Sequence, residues 1–229
     1  MHHSREAEND PAKAVRISYI SPDIVIGLFP KKNMILQKLK EATRDQHDAL
    51  ESAVDVMNRS LALADYKEML VKFYRFYSAV EPTLPAADLL ANGFDIGPRQ
   101  KLPFLVADLR HLGVLNGDEA EIEKWDDIPD LTDTARAFGG IYVMEGATLG
   151  GQVITRHLKE HLDITPETGG AFFNSYGKEV GPMWKEFGAA VTAFSEANGR
   201  EDDTVQAARE TFDAFRRCFE EGAKAEAGA

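Results

Sequence analysis

The stretch GGIYVMEGATLGGQ, residues 139–152, puts five glycines into fourteen positions of a text that otherwise reads as helix. Each glycine in a helix interior costs roughly 1 kcal/mol relative to alanine. Five cost about 5 kcal/mol, comparable to the whole net stability of a domain. A chain that keeps them must recover that energy by letting something come close to the backbone. At 100° per residue, Gly139, Val143, Gly146 and Gly150 form one stripe, and Gly140, Ala147 and Gly151 lie beside it. Ile141, Tyr142, Glu145 and Leu149 point elsewhere. The bare face can receive a neighbouring helix or a flat ligand, and it lets the helix kink. Glycine spacing alone does not choose between these.

The remaining pattern predicts a single all-α domain. Asn33 is an expected N-cap for a helix carrying Ile35, Leu39, Ala42, Gln46, Leu50, Ala53 and Met57 at helical spacing. A second helix is expected from Asp65, with Glu68 completing a capping box. Leu70, Phe73, Tyr74, Tyr77 and Val80 are its buried stripe, and Pro82 and Pro85 end it. RQKLPFLVADLRHLG predicts a third helix closed by Gly113. Residues 131–162 read as one long fourth helix, 177–199 as a fifth and 202–223 as a sixth. The expected domain spans 34–222, with 1–33 an extension read as a short strand, an extended arm or a disordered segment, and 223–229 a tail. A start at Met34 is the alternative. Residues 1–33 carry no recognisable chemistry, and their early acids and missing apolar core do not read as a secretion signal.

Charge and composition remove several function classes. With 26 Lys and Arg against 38 Asp and Glu, the net charge is −12, which argues against nucleic acid as a partner. No window approaches twenty apolar residues, so no membrane association is expected. Cys218 is alone, which excludes an internal disulfide and fits a reducing, cytoplasmic setting.

His47 follows Leu39 and Thr43 and precedes Leu50 on one helical face, so an imidazole sits in an apolar stripe. It is either a satisfied core histidine or a single axial metal ligand. HLKEH at 157–161 matches the H-x-x-E-H zinc pattern, but it lies at a charged helix end with no third ligand marked. No histidine has Glu three residues before it, so a di-iron carboxylate bundle is excluded. The absence of C-x-x-C-H means that any haem is held without a covalent link.

LKEATRDQH (39–47), EGATLGGQVI (145–154) and AFFNSYG (171–177) together resemble the haem oxygenase family, over roughly Ile35 to Phe219. The form YVMEGATLGG is closest to bacterial members, in particular those that supply biliverdin to bacteriophytochromes. The resemblance implies an all-α fold with haem between a proximal helix and a kinked, glycine-rich distal helix. It places His47 as axial ligand of the haem iron and Lys40 on a haem propionate. It places Gly146 and Gly150 as the distal glycines that act in catalysis by leaving room for haem and O2. Ala147, Gly151 and Tyr142 are further expected haem contacts. One departure stands out: where animal members carry an aspartate that orders water, this chain has Ala147. That bears on which position of the ring is opened.

The implied reaction is oxidative cleavage of haem, as substrate and cofactor, to biliverdin, CO and ferrous iron with O2. The alternative is a haem carrier or sensor without turnover. No flavin or dinucleotide fingerprint is present, so electrons are expected from a ferredoxin or a flavoprotein reductase, and a phytochrome is an expected acceptor of the product. Phe172, Phe173 and Lys185 are lesser candidates for the pocket, and Glu145 reads as a structural partner.

Overall fold

In the computed structural model, which describes residues 34–119 and 122–221, every regular element is helical. The α-helices are α1 (Met34–Ala42), α2 (Arg44–Val54), α3 (Val56–Arg59), α4 (Leu63–Val80) and α5 (Ala86–Ala91). They continue with α6 (Leu102–His111), α7 (Thr134–Gly146), α8 (Gly151–Leu162), α9 (Val180–Asn198) and α10 (Glu201–Glu220). The expected cap Asn33 and the extension 1–33 lie outside the described residues.

Two expected helices are interrupted for local reasons. The first has an irregular turn at Thr43, at φ −113° and ψ 10°, where the hydroxyl donates to the Leu39 carbonyl at 2.8 Å alongside the residue's own amide. It breaks at Asp55, in the left-handed region at φ 45°. So α2 is an eleven-residue rod with an irregular joint at each end. The long fourth helix ends at Gly146, tightens into a 3-10 turn over Ala147–Gly150, and resumes as α8. The kink falls where the glycines are. One expectation is corrected: α4 starts at Leu63 after an extended Ala62, so Asp65 sits in its first turn and is not its cap.

The core is one continuous cluster. Helix α10 lies against α7, α2 and α4, and rings from α4 and α10 fill the centre. Phe76 stacks on Phe215 with centroids 4.0 Å apart, and Phe73 meets Phe172, Phe173, Phe215 and Phe219 at 4.8 to 5.6 Å. Asp133 caps α7 by accepting from Ala135 N at 3.0 Å and Arg136 N at 3.3 Å. That cap fixes the height at which the glycines cross α10.

Candidate ligand cleft between helices α2, α7 and α10

The structure divides the glycines by task. A Cβ on Gly139 would collide with Thr204 O and lie 2.8 Å from Ala208 N, both backbone atoms of α10. On Gly140 it would run into the Leu131 side chain, and on Gly151 into the Phe173 carbonyl. These three let other parts of the chain pack closely. Gly146 is different: it is buried, yet a Cβ there would meet nothing within 4 Å. Helices α7 and α10 touch at Gly139 and separate one to two turns further on, leaving space beside the kink.

That space is an apolar cleft. Leu50 and Val54 of α2 and Val56 of α3 face it, as do Val143 of α7 and Ala147 and Ile154 around the kink. Phe73, Phe172, Phe173, Phe212 and Phe215 supply aromatic walls. As it stands the enclosed cavity is about 20 Å³, room for a water molecule. Ligand pockets of ordinary size run from about 300 Å³, so a large planar ligand requires the walls to part.

His47 stands on α2 one turn before Leu50. Its side chain is 13% exposed, and its ring meets Phe212 edge-on at 5.8 Å. Nδ1 lies 3.4 Å from Asp48 Oδ1, and Glu51 brings a second carboxylate to the same place. An imidazole with carboxylates at hand is a donor set of the kind that can ligate a metal. Asp48 and Glu51 escaped the sequence reading, although their i+1 and i+4 spacing from His47 was visible.

Tyr142 is buried on α7, and its hydroxyl bonds Thr43 at the joint between α1 and α2. Burial pushes its phenol up to about 12. Tyr142 therefore ties the kinked helix to the base of the helix carrying His47. Lys40 is half-buried on α1, two helical turns before His47. Gly150 is buried at the end of the 3-10 turn. Lys185 is exposed on α9. The structure thus gathers Ala147, Phe172 and Phe173 around the cleft, with Gly146 next to Ala147 in the chain and His47 one turn before the lining residue Leu50, and turns Gly151 toward Phe173. His157 Nε2 donates to Met57 O at 2.9 Å and its ring lies against His161. No third ligand joins them among the described residues.

The opposite side of α7 is polar. Glu145, 2% exposed, pairs with Arg99 Nη1 at 2.8 Å and accepts from Tyr176 at 2.5 Å. Lys101 Nζ, 3.6 Å from Glu145, donates to Arg99 O and to Tyr176, each at 2.5 Å. Burial lowers this lysine to about 8, against the pull of Glu145 and Glu81. Glu145 is the structural partner that its helical angle suggested. A second carboxylate, Asp108 of α6, accepts from Ala171 N and Phe172 N, both at 2.8 Å. Burial raises it to about 6.

An all-helical frame enclosing an apolar, aromatic-lined cleft beside a kinked glycine-rich helix is the class that the fold defines. The particular family follows from comparison. The haem oxygenase family model matches residues 33–221, and the chain belongs to that family. It is 26% identical over 156 residues to a haem oxygenase of Xanthomonas campestris pv. campestris, covering 67% of this chain and 88% of that protein. Its fold is similar to that of the NO- and CO-bound haem oxygenase of Neisseria meningitidis. The TM-score is 0.70 at 22% identity, over 82% of this chain and 90% of the other.

Proposed function

We propose that the chain is a haem oxygenase in which His47 holds the substrate's iron and the kink at Gly146–Gly150 forms the opposite wall. The observation that carries this reading is the contrast among the glycines. Gly139, Gly140 and Gly151 are filled by the protein, whereas Gly146 faces space. Haem, when bound, supplies the oxidative chemistry with O2, and electrons come from an external donor of the ferredoxin or flavoprotein class. Biliverdin, CO and ferrous iron are the products, and a bacterial cytoplasm, with a phytochrome as acceptor, is the setting that fits the sequence.

The residues present fit such a substrate. The cleft lining is apolar and aromatic, as a porphyrin face requires. His47, with Asp48 Oδ1 3.4 Å from its Nδ1, would hold the haem iron through its imidazole. An imidazole is a weaker electron donor than a thiolate, and the wall facing it offers only Gly146, Ala147 and Val143. None of these donates a proton, so the side chains there exclude water and limit where bound oxygen can lie. Lys40, two turns from His47 on the same side, supplies a cation for a propionate in an otherwise acidic chain. With Ala147 in the wall, any proton must arrive from backbone groups or ordered water.

Purified protein titrated with hemin and then given ascorbate in air tests the reading, with His47→Ala alongside. The expected result is a one-to-one Soret complex that bleaches into a biliverdin band, and that is lost or altered in the variant. A complex that persists unbleached with ascorbate and with a reductase would make the protein a carrier. Absence of any complex would remove haem from the account.

A further inference from the structure

We propose that Asp108 is a positioning residue of the haem pocket, its carboxylate fixing the backbone from which Phe172 and Phe173 form one wall. The inference rests on the haem oxygenase reading. Residues 164–176 carry no α-helix; turns within the segment serve the amides of Thr168, Gly170 and Ser175, and those of Ala171 and Phe172 take their acceptors from α6. Asp108 is 1% exposed and spends one oxygen on each of two consecutive amides, Oδ1 on Ala171 N and Oδ2 on Phe172 N, both at 2.8 Å. Charged acceptors of this kind are the stronger class of hydrogen bond, and they fix direction as well as distance.

What the two bonds hold is the cleft. The Phe172 ring packs on Phe73 at 4.8 Å and on Tyr77 at 5.4 Å, and Phe173 packs on Phe73 at 5.6 Å. Both line the cavity beside Ala147 and Val143. The same short segment reaches the kinked helix, because the Phe173 carbonyl fills the place that a side chain at Gly151 would take. A second tether, Tyr66 OH to Gly169 O at 2.8 Å, holds the start of the segment but touches none of the wall residues' amides. A shift at Ala171–Phe172 would therefore move an aromatic wall and the support of the kink together. The seat of the porphyrin, and hence the ring position presented for cleavage, depends on both.

Asp108→Asn keeps the shape and one acceptor but sets an NH2 group against the other amide. The full-length variant is titrated with hemin, its thermal unfolding is recorded, and the tetrapyrrole isomers from ascorbate-driven turnover are separated. The expected result is hemin affinity weakened about tenfold or more, with a changed isomer ratio. Unchanged affinity and an unchanged isomer ratio, whatever happens to the melting temperature, would overturn the proposal and leave Asp108 a purely structural acceptor. If the variant does not fold, hydrogen exchange on the wild-type hemin complex decides. Slow exchange at the Ala171 and Phe172 amides supports the clamp, and fast exchange overturns it, because the wall would then be seated with the clamp open. A wild-type chain that fails to bind hemin removes the underlying reading instead, and that is seen before any variant is made.

Discussion

Changing Gly146 and Gly139 to alanine, one at a time, should move stability in opposite directions. At Gly146 the new methyl meets nothing within 4 Å, so the haem-free protein gains the helix preference of alanine, about 1 kcal/mol. For a domain of this size that is a rise of about 2–4 °C in melting temperature. The same methyl stands where the porphyrin is to lie, and a crowded contact costs about 1–3 kcal/mol, so hemin should bind roughly 5- to 150-fold more weakly. At Gly139 the methyl is driven into Thr204 O and Ala208 N, helix backbone that cannot step aside. The overpacking cost, about 3 kcal/mol at such a site, exceeds the alanine gain. The melting temperature should fall by several degrees, while hemin affinity of the folded fraction stays near wild type. Thermal unfolding without hemin, followed by hemin titration, measures both. A Gly146→Ala protein that binds hemin as tightly as wild type would refute the placement of the ligand. A Gly139→Ala protein of raised stability would refute the division of the glycines into two kinds.

Glu145→Ala should cost about 3–5 kcal/mol in urea unfolding, because it strands Arg99 and Lys101 in the interior without their carboxylate. A loss under about 1 kcal/mol would show that the polar cluster is not coupled as its distances indicate. Asp108 should impose a pH signature: its folded value is about 6 against 3.8 for the free side chain, burial being the main cause. As pH falls below about 7 the folded state takes up a proton before the unfolded state does, so wild type should gain stability relative to Asp108→Asn down to about pH 4, by about 1.4 kcal/mol per unit of separation. A difference independent of pH across that range would show that Asp108 is not perturbed.

The helical class and the stripes of α4 and α10 were legible because a 3.6-residue period records burial directly. So was the scope for a kink, since five glycines against helix propensity needed a compensating cause. What the sequence could not show is which glycines face protein. Gly139 and Gly146 are seven residues apart on one stripe and equivalent by angle, and only the path of α10 separates them. The same holds for Asp108. It lies in an apolar face with Leu105 and Leu109, which is a visible anomaly, but its partners are backbone amides more than sixty residues away. Local pattern identifies a costly residue, whereas the group that compensates it is set by the fold. The three segments that carry the resemblance contain His47, Gly146 and Phe172–Phe173. Of these, Phe172 and Phe173 line the cavity together with Ala147, and His47 stands one turn before its lining residue Leu50. The polar cluster behind α7 shares only Glu145 and Tyr176 with those segments, and its cations, Arg99 and Lys101, come from outside them. The two sides of α7 are thus occupied differently: Glu145 on one is bound to Arg99 and Tyr176, while Val143 and Ala147 on the other border the cleft. On the proposed reading, the buried charges hold the kinked helix from behind while its small residues face the substrate.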